Sequence, residues 1–152
     1  MKAFRAIYRF WVSLMTLAVV LQIGFAGYGA FDTAHNVDGS GKTVDEDSYN
    51  DSFGPHIGLG YIIFLAAIVL LLLSFGARGK QRILRSLAAL VLVMIQIVLA
   101  WTGGSAPYAA GALHPINAFI ILGLLGSTTY WEWKVGRRAA PGEPAASAAP
   151  PA

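Results

Sequence analysis

Four apolar stretches, at about residues 8–31, 55–75, 83–102 and 115–133, limit what this chain can fold into more than any other feature. Each matches the roughly 20 residues that a helix needs to cross a hydrocarbon core. In lipid, backbone polar groups must be satisfied within the protein, and short separate spans do this as helices. The sequence therefore predicts an all-α integral membrane four-helix up-down bundle over residues 1–138. Residues 139–152, "AAPGEPAASAAPPA", form a Pro/Ala-rich tail with nothing to bury and are expected to be disordered. The chain is 56% hydrophobic and 12% charged over 152 residues, too apolar for a soluble domain of this size. It has no cysteine, which excludes disulfides, thiolate ligands and covalent haem attachment through C-x-x-C-H.

Charge placement sets the expected topology. Lys2, Arg5 and Arg9 lie at the start of the first span, Arg78, Lys80, Arg82 and Arg85 at the second connection, and Lys134, Arg137 and Arg138 after the fourth span. The first connection, 32–54, holds six acids against Lys42 alone, and the third is uncharged. Ten of the eleven basic residues thus share one side, which the positive-inside rule assigns to the cytoplasm, with both termini there and the protein in the plasma membrane. The basic residues read as topology anchors against membrane lipid, not as a nucleic-acid surface. The basic start followed by an apolar run resembles a signal peptide, but the uncharged run 10–31 is too long for an ordinary h-region.

The chain reads as one hairpin written twice. "LQIGFAGYG" in the first span aligns with "IQIVLAWTG" in the third, pairing Gln22 with Gln96 and Ala26 with Ala100. "PHIGLGY" and "HPINAF", at the starts of the second and fourth spans, pair His56 with His114 and Gly60 with Ala118. Spans two and four run in the same direction, so the histidines share one depth near the outer face. In a square bundle these helices are diagonal, about 11–14 Å apart when neighbours lie about 8–10 Å apart. Two inward imidazoles across that gap leave room for one metal ion. The small residues Gly60 and Ala118, one turn deeper on the same faces, clear space for a flat macrocycle. Haem b with His56 and His114 as axial ligands is the cofactor expected from this arrangement.

Each of these residues also has a plainer role. End-of-helix histidines commonly bond water or headgroups, and Pro55 and Pro115 read as helix-start punctuation. Gln22 and Gln96 must find partners in lipid, either on a neighbouring helix or, as cofactor contacts, beside the histidine each orients. Asn117 reads as a helix–helix bond. Haem propionates seek cations, and the outer side offers only Lys42.

Other signals fail or stay weak. "DGSGKT" lacks the first P-loop glycine, Asn36 standing in its place. Asn36, Asp38, Ser40, Gly41 and Asp47 fall on calcium-loop positions, but the first is neutral and the last too short for a bidentate glutamate. His35 has no evident duty. Tyr28, Trp101 and Tyr108 towards one face, and Tyr8, Trp11, Tyr130, Trp131 and Trp133 towards the other, read as interfacial belts. The middles of the spans carry no acid or base, which speaks against an ion pump.

The order of a Gln-containing first span, "FGPHIGLGY", a basic turn, "IQIVLAW" and "LHPINAF" resembles an uncharacterised family of small four-helix actinobacterial membrane proteins, over nearly everything except the tail. That resemblance implies no activity. The chain is more distantly similar to one half of a haem A synthase, and this likeness implies that His56 and His114 are axial haem ligands. A haem A synthase has two such bundles and further outer-face catalytic residues, whereas this chain has one bundle. What carries over is one-electron transfer or haem carriage; the partner expected for such a protein is quinol or a larger respiratory complex. The competing expectation is a cofactor-free accessory subunit packed against a larger membrane complex.

Overall fold

A computed structural model describes residues 2–37, 46–103 and 109–138. Four helices occupy almost all of them: α1 (Lys2–Val37), α2 (Glu46–Ala77), α3 (Lys80–Gly103) and α4 (Ala109–Arg138). All four are long and apolar enough to cross a membrane, as expected of a multi-pass membrane protein. The calcium-loop positions Asp38, Ser40 and Gly41, with Lys42, Tyr108 and the tail 139–152, lie outside the described residues.

The helices run past the apolar limits. At 1.5 Å per residue the 36 residues of α1 reach about 54 Å, against a hydrocarbon core of about 30 Å. Hydropathy marks where lipid contact ends, not where hydrogen bonding ends. Glu46 and Asp47 in the first turn of α2 favour its positive end and carry the helix outward. Pro55 and Pro115 consequently sit inside α2 and α4, which corrects their reading as start signals. Each proline lacks an N–H for the carbonyl four residues earlier, at Asp51 and Gly111, and both of those residues are exposed.

α1 packs on α2 and α4, and α3 on α2 and α4. Neither diagonal pair brings Cα atoms within 8 Å among the described residues, so α2 and α4 stand opposite each other, as predicted. The buried rows follow the 3–4 spacing of a helix seam: Tyr8, Val12, Met15 and Val19 on α1, and Ile63, Ala67, Leu70 and Ser74 on α2. Opposite faces carry Leu14, Leu17, Leu65 and Leu72, each more than half exposed, a surface suited to lipid.

The end of the bundle bearing the α2–α3 turn, here the basic end, is tied by polar bonds. Arg78 (φ 55°) and Gly79 (φ 123°) make that turn; an L side chain at Gly79 would be strained and would meet the Arg82 guanidinium at 3.2 Å. Tyr8 is fully buried, 3.0 Å from the Ser86 hydroxyl. Trp11 donates to the Ala66 carbonyl (2.9 Å), and Trp133 to Ser13 Oγ (3.0 Å). These three side chains bond helix to helix, which corrects their reading as belt anchors; Tyr130 and Trp131 remain about half exposed.

Candidate functional site

At the other end of the bundle, the histidine end, α2 and α4 turn His56 and His114 towards each other, with ring centroids 6.1 Å apart and planes inclined by 58°. Both residues are half-buried. Each ring is fixed from the adjacent helix of its own hairpin. His56 Nδ1 lies 3.0 Å from the Gln22 carbonyl oxygen, and His114 Nδ1 lies 3.2 Å from that of Gln96. A carbonyl only accepts, so Nδ1 carries the proton in both rings. In the neutral form that leaves Nε2 with its lone pair, the tautomer of a metal-ligating histidine held by an outer-shell carbonyl.

The glutamine side chains complete the clasp in the opposite sense. Gln22 Nε2 donates to the His56 carbonyl (2.7 Å), and Gln96 Nε2 to the His114 carbonyl (3.0 Å). The predicted choice between helix bonding and histidine orientation therefore has a divided answer. The glutamine main chain holds the ring, and its side chain holds the other helix. Asn117, expected as a helix–helix bond, donates to the Leu92 carbonyl (2.9 Å) and to Gln96 Oε1 (2.7 Å). The first hairpin has Leu59 where the second has Asn117. Gln22 Oε1 is accordingly buried with no hydrogen-bond partner.

No protein-family model, curated protein or solved structure matches this chain.

Below the rings lies a cavity of about 50 Å³, lined by Gln22, Gly60, Gln96 and Ala118 together with Val19, Ile23, Ile63, Val93 and Ile121. It brings together Gln22, Gln96, Gly60 and Ala118, the four residues expected beside the histidine pair. A Cβ on Gly60 would lie 3.2 Å from Gln22 Nε2, so glycine leaves that amide its place. Above the rings, Phe53 packs edge-on to His56 (6.2 Å) and stacks on Tyr49 (4.7 Å), and it fills the notch left by Gly29. Sequence reading missed this aromatic cover, whose only signal was the i, i+4, i+7 spacing of Tyr49, Phe53 and His56.

The fit to a metal group can be judged from these dimensions. With a metal–nitrogen bond of about 2 Å and a ring centroid roughly 1 Å behind the nitrogen, two opposed imidazoles sharing one ion have centroids roughly 6 Å apart. The observed centroid separation of 6.1 Å matches that distance, and Phe53 packs edge-on to His56. A cavity of about 50 Å³ holds a few waters, whereas ligand pockets run to several hundred Å³, so a macrocycle requires the helices to part at this level. Among the described residues no group of three or more His, Cys, Asp or Glu side chains assembles, so the candidate donor set is the histidine pair itself. His35 lies exposed in the last turn of α1, away from this pair.

Proposed function

We propose that this chain is a small membrane electron-transfer protein that holds one haem b between His56 and His114. The observation that supports it is the facing pair of imidazoles at 6.1 Å, each presented as the same tautomer by a main-chain carbonyl. When bound, the haem iron supplies a one-electron couple. The chain's own residues orient the ligands through the Gln22 and Gln96 carbonyls and cover His56 with Phe53. The recurrence of one Gln–His clasp in both hairpins supports an internal duplication. The charge pattern supports a plasma-membrane protein with both termini inside and the histidines near the outer face, within reach of quinol or a larger respiratory complex.

The test is expression of the full chain with haem supplementation, followed by absorbance of the purified protein. The expected result is a reducible Soret band in the wild type that is lost in His56→Ala and in His114→Ala. A colourless protein that carries copper or zinc in a histidine-dependent way would refute haem and keep the ligand pair.

The second reading is a cofactor-free accessory subunit of a larger membrane complex. The small cavity favours it, because side chains of all four helices already fill the level below the histidines. Colourless, metal-free protein that co-purifies with a larger assembly would establish that reading.

A further inference from the structure

At the basic end, the first turns of α3 and the last part of α4 line a groove of about 370 Å³. Its walls include Gln81, Arg82 and Arg85 from α3 and Thr128, Trp131 and Glu132 from α4. The charges in the groove do not cancel. Arg82 and Glu132 pair: Nη2 donates to Oε2 at 3.0 Å, and Nε lies 2.9 Å from Oε1 without the alignment of a hydrogen bond. Arg85 makes no hydrogen bond or ion pair among the described residues, although it is half-buried against the groove. Beside the groove, Lys134 Nζ lies 5.3 Å from the Trp131 ring centroid and donates to the Tyr130 hydroxyl at 3.4 Å. The Thr128 hydroxyl donates to the Leu124 carbonyl and adds no free donor.

The groove also has a depth and a boundary. It sits where the apolar stretches give way to the basic residues. Half-exposed Trp131 forms one wall, a side chain suited to the headgroup layer. Leu84 lies exposed beside the groove on α3, and towards the bundle middle exposed Ile120 lies on the Trp131 side of α4. A ligand that satisfies all of this has an anionic head for Arg85 and hydrocarbon chains for the apolar flanks at Leu84 and Ile120. Arginine suits that head because its planar fork matches phosphate oxygens.

We infer that this groove is a binding site for an anionic phospholipid, its phosphate on Arg85 and its acyl chains along α3 and α4. The assignment is independent of any cofactor at the opposite end. The Arg82–Glu132 pair serves as the rigid floor that holds α3 to α4 beneath the headgroup.

The test is native mass spectrometry of the full-length protein released from detergent micelles, titrated with dioleoylphosphatidylglycerol or dioleoylphosphatidylcholine. The wild type is expected to bind the glycerol lipid about five-fold more tightly, the effect of about one basic residue at an anionic surface. Arg85→Gln is expected to erase most of that preference, and Arg85→Lys to retain part of it. Lys2→Gln removes an exposed cation on α1 and is expected to leave the preference intact. Unchanged melting of Arg85→Gln shows that the fold is preserved. Equal binding of the two lipids by the wild type overturns the site, as does an equal loss in Lys2→Gln and Arg85→Gln. Displacement of the glycerol lipid by inorganic phosphate overturns the lipid assignment, and indifference to phosphate supports it.

Discussion

The two glutamines look equivalent in sequence, yet their replacement by leucine should cost different amounts. Gln22→Leu removes one interhelical bond, from Nε2 to the His56 carbonyl, and it also removes the buried Oε1 that has no partner. Gln96→Leu removes two bonds, to the His114 carbonyl and from Asn117, with no unsatisfied atom to relieve. Interhelical hydrogen bonds in membranes average about 0.6 kcal/mol, so the direct losses are about 0.6 and about 1.2 kcal/mol. An unsatisfied buried acceptor costs about 1–3 kcal/mol, so its removal makes Gln22→Leu neutral or stabilising. Gln96→Leu should therefore be the less stable variant by about 1.6–3.6 kcal/mol. Reversible unfolding in mixed micelles, read by far-ultraviolet circular dichroism, measures the difference directly. A Gln22→Leu protein as destabilised as Gln96→Leu, or more so, would refute the asymmetric clasp.

Two further stability changes follow from packing and charge. Gly29→Ala places a Cβ 2.8 Å from the Phe53 ring and should cost about 1–3 kcal/mol as overpacking, with partial recovery in Gly29→Ala/Phe53→Leu on thermal melts. Glu132→Gln strands Arg82; the pair is 13–17% exposed, so the expected loss of about 2 kcal/mol lies between that of surface and buried pairs. The same variant should raise the phosphatidylglycerol preference, because it frees a second guanidinium in the groove.

Much of the site was legible because topology alone places it. Four apolar runs fix the up-down order, and that order puts His56 and His114 on diagonal helices at one depth. Gly60, Ala118, Gln22 and Gln96 follow by helical spacing. The details that escaped depend on which atom of a residue does the work. Sequence names glutamine as a polar side chain and is silent about its main-chain oxygen, which is the group that meets each imidazole. Tyr8 and Trp133 looked like belt residues because their types suit that layer, but Ser86 and Ser13 across the bundle offer partners that draw them inward. Helix ends were misjudged because polarity ends the lipid-facing segment without ending the helix, as Glu46–Phe53 demonstrates. The Arg82–Glu132 pair joins residues 50 positions apart, a separation with no local signature.

The grip of a main-chain oxygen on each ring has a consequence for how this end of the molecule responds to change. No substitution at position 22 or 96 can delete an atom that every amino acid supplies. The hold yields only when one helix of a hairpin slides or rotates against the other. Ring separation therefore acts as a gauge of hairpin register. A perturbation far down the bundle that shifts α1 along α2, or α3 along α4, would be felt first as a change in the aim of an imidazole.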